Sequence, residues 1–173
     1  MDIVSFVETL AGKWFSQRTT HYLASQRSKA GQSNLLIEFL PATDASLVQV
    51  CEAQGQDPTH IACGLKVDQD SRLDGDTSNT QRTTVMVMLQ PAADGQGIFL
   101  QASPQEPMAQ GEYGLDNEVL TLTTQTPDGT VQERLWFANT NLRMRTSVLK
   151  VGDTEQMASF CSEIRLGGAP AQG

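Results

Sequence analysis

Four of the chain's twelve Lys and Arg residues lie between Arg134 and Lys150, a stretch without a single Asp or Glu, in a protein of formal charge −8. A local guanidinium excess of this kind suits an anion, because Arg holds a carboxylate through charge-assisted and often bidentate hydrogen bonds. Strand side chains alternate between faces, so Arg143, Arg145 and Ser147 share one face, with Leu142, Met144, Thr146 and Val148 on the other. The polar face has two readings. Either it looks at water, as most arginines do, or it lines the inside of a barrel and meets a carboxylate ligand there.

A chain of 173 residues suffices for one domain that buries a core or closes a barrel around a ligand. No run approaches the roughly 18 apolar residues of a membrane helix, and the N-terminus lacks the basic segment and apolar core of a signal peptide. A cytoplasmic protein without membrane insertion is expected. Cys51, Cys63 and Cys161 are an odd, scattered set that makes no disulfide framework, although Cys51 and Cys63 could pair. His60 and Cys63 have a faintly metal-like spacing, but His21 is the only other histidine and no Cys-x-x-Cys occurs, so no metal is expected. The pI near 4.6 speaks against nucleic acid. No nucleophile elbow and no His partnered with a Ser or Cys motif supports a hydrolase.

The elements that must position the arginines are mostly strands. Asp2 can cap a short helix whose apolar residues Ile3, Phe6, Val7 and Leu10 follow the helical period, and Gly12 is a natural stop. A first strand is expected over 14–23, followed by strands over 35–40, 47–52, 62–67, 82–89, 97–101, 108–113, 119–124, 131–138, 142–150 and 157–166. Asp94-Gly95, Leu115-Asp-Asn117 and Pro127-Asp-Gly129 supply turns between them. Regular spacing of short strands marks an antiparallel up-and-down meander, which closes most simply into a barrel without free edges. Residues 25–33 read as a polar loop or lid, and 68–80 as a second loop. The tail, 167–173, is too small and flexible to pack, which leaves 1–166 as a single barrel domain.

Gly12-Lys-Trp14, entering the first strand after a short helix, is similar to the Gly-x-Trp entry of lipocalin-type barrels, in which an Arg from a late strand commonly stacks on that Trp. Arg165 or Arg145 could do this. Three longer segments are more specific: Gly12-Lys-Trp-Phe-Ser-Gln-Arg-Thr-Thr-His21; Glu133-Arg-Leu-Trp-Phe-Ala138 with Asn141-Leu-Arg-Met-Arg-Thr-Ser147; and Met157-Ala-Ser-Phe-Cys-Ser-Glu-Ile-Arg165. Together they resemble the S-type phycobiliprotein lyases, over residues 2 to 166.

The resemblance implies an all-β, lipocalin-like barrel of about ten strands, related to fatty-acid-binding folds, with a short N-terminal helix. It also implies an enzyme that holds a linear tetrapyrrole, phycocyanobilin or a relative, and directs its thioether attachment to a cysteine of a phycobiliprotein α or β subunit. The family positions that line up are Arg18, His21, Trp136, Arg143 and Arg145, with Glu163 as a further one. Arg18, Arg143 and Arg145 would take the two propionates. Glu163 or Glu133 would face protonated ring nitrogens, His21 or a carboxyl group would supply a proton, and Trp136, Phe137, Tyr22, Met86 and Met88 would wall the rings. Members of the family usually carry a tryptophan near residues 64 to 70. Here Cys63-Gly-Leu-Lys-Val-Asp-Gln-Asp70 has none, a departure that fits the partner subunit of a two-subunit lyase, active as a heterodimer or homodimer, or a bilin carrier.

Overall fold

The computed structural model describes residues 1–168, so the rest of the expected tail, 169–173, lies outside the described residues. Helix α1 (Ile3–Thr9) begins where the Asp2 carboxylate accepts the Ser5 amide at 2.8 Å, as the capping pattern predicts. Ten strands follow: β1 (Gly12–Tyr22), β2 (Arg27–Pro41), β3 (Ile61–Leu73), β4 (Thr80–Leu89), β5 (Gln96–Ser103), β6 (Glu106–Asp116), β7 (Val119–Thr126), β8 (Gly129–Asn139), β9 (Leu142–Val151) and β10 (Thr154–Leu166). Each pairs antiparallel with the next, and β1 pairs with β10, so the sheet is a closed barrel. Among the described residues no helix is long and apolar enough to cross a membrane.

One expected strand and two expected loops are corrected. The segment 47–52 is not a strand but lies in helix α2 (Ala45–Ala53), capped by Asp44, whose side chain accepts the Ser46 amide at 2.9 Å. Leu47, Val50 and Cys51 fall at i, i+3 and i+4, and tertiary burial of that stripe outweighs the strand preference of the valines. Residues 27–33 are the start of β2 rather than a lid, and β3 runs on to Leu73, which shortens the second loop to 74–79. Both stretches are polar because they cross the barrel where neither face is packed; ladder hydrogen bonds to paired strands, not hydrophobicity, make them strands. Cys51 and Cys63 do not pair, and all three cysteines are free and buried.

There are two apolar cores. One fills the lower half of the barrel, where Trp14, Leu35, Ile37, Leu65, Met88 and Phe99 meet Phe6 and Val7 of α1. The other lies outside, where α2 covers the outer face of β4 and β5 through Leu47, Val50, Val87 and Leu100. Gly64 permits that contact, because a Cβ there would collide with the Leu47 side chain.

Candidate functional site

The register sorts the sequence-selected residues by alternation alone. On β1, Trp14, Ser16, Arg18 and Thr20 point inward, and they sit opposite Arg165, Glu163, Cys161 and Ser159 of β10. Those in turn oppose Arg143, Arg145 and Ser147 of β9, which face Phe137, Leu135 and Glu133 of β8. The result is a wall of four rungs that rises from the end closed by α1 to the open end. The polar face of β9 turns inward, and Arg18, Arg143 and Arg145 all point into the barrel.

The lowest rung is a floor. Trp14 is fully buried and its indole N–H donates to the Leu10 carbonyl at 2.9 Å, tying α1 to the barrel. The Arg165 guanidinium lies 4.2 Å from the Trp14 ring centroid and that of Arg143 lies 4.4 Å from it. Arg165 also donates to the carbonyls of Thr9 (2.8 Å), Thr140 (3.2 Å) and Ala11. It thus satisfies carbonyls left over at the end of α1. Gly12 adopts a positive φ, and a Cβ there would crowd the Arg165 guanidinium. Of the two arginines expected to close the floor, Arg165 does so and Arg145 does not.

The second rung holds a fully buried ion pair, Arg143 Nε to Glu163 Oε1 at 2.9 Å. Burial by itself would raise the Glu163 carboxyl, but Arg145 and Arg143, with the Ser16 hydroxyl, overcome it and hold the group below its ordinary value. Burial pulls Arg143 down to about 10, against the pull of Glu163, so both partners are charged at neutral pH. Arg143 is therefore committed to Glu163 and Trp14.

On the third rung the situation changes. Arg145 is about a quarter exposed; burial opposes its charge, but Glu163, Cys161 and Glu133 favour it more and raise its pKa. Its Nη2 is 3.6 Å from Glu163 Oε2, its Nε is buried without a hydrogen-bond partner among the described residues, and Glu163 Oε2 is likewise unpartnered. Arg18 has no carboxylate within ion-pair distance among the described residues, and its Nε donates to Cys161 Sγ at 3.3 Å, with Arg145 Nη2 3.8 Å from the same sulfur. Two guanidiniums thus converge on one weak acceptor, a poor use of such strong donors. The inward residues around them, including Glu133, Ser147, Thr124, Gln101 and Met86, are only partly buried. A side chain that points inward and still meets solvent does so through the interior, so this half of the barrel is an open hollow with a net positive wall.

Not every sequence-selected residue reaches it. His21 follows inward-facing Thr20, so it points outward and is exposed at the barrel rim. Trp136 opposes Met144 on the outer face, while its neighbours Leu135 and Phe137 face in. Tyr22 is exposed at the end of β1, Phe137 and Met88 belong to the lower core, and Met86 borders the hollow. Cys161, at the centre of the arginine pair, was missed as a site residue; the alternation Ser159, Cys161, Glu163, Arg165 on one strand was the signal. Among the described residues no group of three potential metal ligands forms.

A family model described as "CpeS-like protein" matches residues 2–166. A chromophore lyase CpcS/CpeS of Thermosynechococcus vestitus is 39% identical over 172 residues, covering 96% of this chain and 94% of the relative. A phycocyanobilin lyase subunit CpcS of Picosynechococcus sp. is 35% identical, covering 98% and 88%. The solved structure of the S-type phycobiliprotein lyase CPES from Guillardia theta superimposes with a TM-score of 0.84 at 25% identity, over 97% of this chain and 94% of that one. With a matching model from the first helix to the last strand and relatives of this similarity along nearly all its length, the chain belongs to the CpeS-like family.

Proposed function

We propose that this protein is a chromophore lyase, which takes a linear tetrapyrrole into the open half of the barrel and directs its attachment to a phycobiliprotein cysteine. The observation that carries the reading is the convergence of Arg18 and Arg145 on a single sulfur in a solvent-reachable hollow. A bilin offers what these donors lack, two propionates that accept charge-assisted hydrogen bonds. Arg18 and Arg145 take those carboxylates. Glu163, kept ionised, turns its unpartnered oxygen to the protonated pyrrole nitrogens, and Arg143 acts as a positioning residue that fixes Glu163. Met86 and the inward aliphatic side chains pack against the rings.

The acceptor protein supplies the nucleophile. Its cysteine sulfur adds to the ring A ethylidene, one S–C bond forms, and the proton released by the thiol is taken up by the tetrapyrrole. The lyase contributes a fixed conformation, shielding from stray thiols, and orientation, which is catalysis by positioning. His21, outward at the rim, touches none of the bound pigment in this arrangement. The cell compartment that fits is the cytoplasm, where an α or β phycobiliprotein subunit would be met. Phycocyanobilin is the bilin with which to begin.

The test is to mix the pure protein with phycocyanobilin, record its absorption, and repeat with Arg18→Ala and Arg145→Ala. A red-shifted, intensified band in the wild type that weakens in both variants is expected. An unchanged wild-type spectrum would remove the hollow as a bilin site in the isolated chain. A second reading, one half of a two-subunit lyase, is favoured by the absent tryptophan between Cys63 and Asp70; attachment seen only after a related chain is added would select it.

A further inference from the structure

The wall made by β2 and β3 carries a polar cluster that neither the floor nor the arginine pair uses. Ser33 lies opposite both Ser16 and Ser71, and Leu35 lies opposite both Trp14 and Gln69, so Ser33, Ser71 and Gln69 share the inward face. Barrel strands are tilted, so rows of paired residues climb as they pass from strand to strand. Glu163, Ser16, Trp14 and Leu35 are buried, whereas Ser33, Ser71 and Gln69, further along the same two rows, are only partly so. These three side chains therefore stand in the hollow and not in the core.

Among the described residues their side chains bond only to one another. Ser33 Oγ and Ser71 Oγ lie 2.8 Å apart, and the Gln69 amide nitrogen donates to Ser71 Oγ at 2.6 Å and to Ser33 Oγ at 3.4 Å. One proton makes the bond between the two serines, so whichever hydroxyl donates, the proton of the other is uncommitted. The Gln69 carbonyl oxygen accepts no hydrogen bond among the described residues. A hydroxyl donor and a carbonyl acceptor are thus left over side by side. The fold makes no use of them, since β2 and β3 are joined by main-chain hydrogen bonds along this stretch.

We infer that this cluster is a second binding point for the pigment, holding the lactam of a terminal ring. The inference rests on the lyase reading and extends it. A lactam is a cyclic secondary amide that presents an N–H and a C=O along one edge. Its carbonyl accepts the spare serine proton and its N–H donates to Gln69, which fills both vacant positions. A linear tetrapyrrole carries its propionates on the two central rings and a lactam on each end ring, so a lactam site belongs beside the propionate site. That is where the cluster lies. Arg18 of β1 stands opposite Gly31 of β2, and Ser33 is the next residue on the same face as Gly31. Gly31 has no side chain, so nothing on β2 fills the space between Arg18 and the serines. A terminal ring turns about its methine bridge, and two contacts on its lactam edge stop that rotation. The arginines hold the pigment; the cluster fixes its shape.

The test is to titrate the full chain with three ligands: phycocyanobilin, its dimethyl ester, which lacks both charges, and its lactim ether, in which the terminal carbonyls are O-methylated. Gln69→Leu should raise the Kd for phycocyanobilin about three- to tenfold and weaken its long-wavelength band, with an unchanged urea midpoint. The same factor is expected with the dimethyl ester, for which Arg18→Ala no longer matters. With the lactim ether, wild type and Gln69→Leu should bind alike. Ser71→Ala should show the same pattern more weakly, and it decides the matter if leucine at 69 disturbs the strand. Equal affinities of wild type and Gln69→Leu for phycocyanobilin overturn the inference. So does a loss that persists with the lactim ether, which would reflect packing and not the lactam. If Arg18→Ala weakens binding and Gln69→Leu does not, the lactam site alone has failed; if the wild-type chain binds no pigment, the lyase reading fails and this inference with it.

Discussion

Within the barrel, the lower and upper halves use the same residue type for opposite ends. At the floor, Arg165 and Arg143 stack on Trp14 and are saturated, one by three carbonyls and the other by Glu163. One rung higher, Arg18 and Arg145 meet a thiol and an incomplete ion pair, with solvent beside them. All four guanidiniums point inward from neighbouring strands. What separates a structural arginine from one available to a ligand is therefore the supply of acceptors around it, since a buried cation without partners is too costly to keep and a half-exposed one is not.

The sharpest way to break this contrast is to empty the floor. Trp14→Ala removes a fully buried aromatic and the surface on which two guanidiniums stack, and should cost about 3–5 kcal/mol in urea unfolding. A variant as stable as the wild type would mean that the floor is not the structural half.

Glu163→Gln should follow, at about 3 kcal/mol, because it leaves the buried Arg143 charge uncompensated while keeping the shape. The same residue predicts a pH dependence. Its folded pKa lies below the ordinary 4.5, so the unfolded chain binds this proton first; the stabilisation is complete above about pH 4.5 and drains away as pH falls through the lower folded value. Urea midpoints from pH 7 to 3 check both points, and in Glu163→Gln the acid-side loss should be smaller. An equal acid-side slope in wild type and variant would assign the effect to other carboxylates.

In the upper half the readout changes from stability to affinity. Arg145→Ala and Arg18→Ala should each weaken phycocyanobilin binding about tenfold to a hundredfold, the equivalent of roughly 1.5–3 kcal/mol per charge-assisted contact. The unfolding midpoint of Arg18→Ala should move little, because its one hydrogen bond goes to a thiol, whereas Arg145→Ala should lose some stability as well, since Arg145 helps to keep buried Glu163 ionised. Loss of stability without loss of affinity would reverse the assignment of the two halves. The smallest effect is expected for His21→Ala, within about twofold in both binding and attachment, since the side chain faces outward. Attachment that collapses with pigment binding intact would bring the histidine back as a proton donor at the rim.

Much of this was legible beforehand. Turn residues between short strands, and a capped helix running into Gly12-Lys-Trp14, are local features, and local chemistry decides them. The inward position of Arg18 and the outward one of His21 were also readable, because alternation from buried Trp14 fixes both. Less legible was α2, where a strand-like composition hid a helical stripe that pays off only against β4 and β5. Polar β2 and β3 were likewise hidden, since their strand state rests on partners rather than on their own residues.

By itself, then, the sequence determined an antiparallel meander with arginines on one face of its closing strands, because turn chemistry and a period of two act within a few residues. Only the tertiary structure decided which arginines are occupied. Trp14, Glu163 and Cys161 come from strands at opposite ends of the chain, and their distances to the guanidiniums are set by closure of β1 on β10, a register that no local pattern encodes.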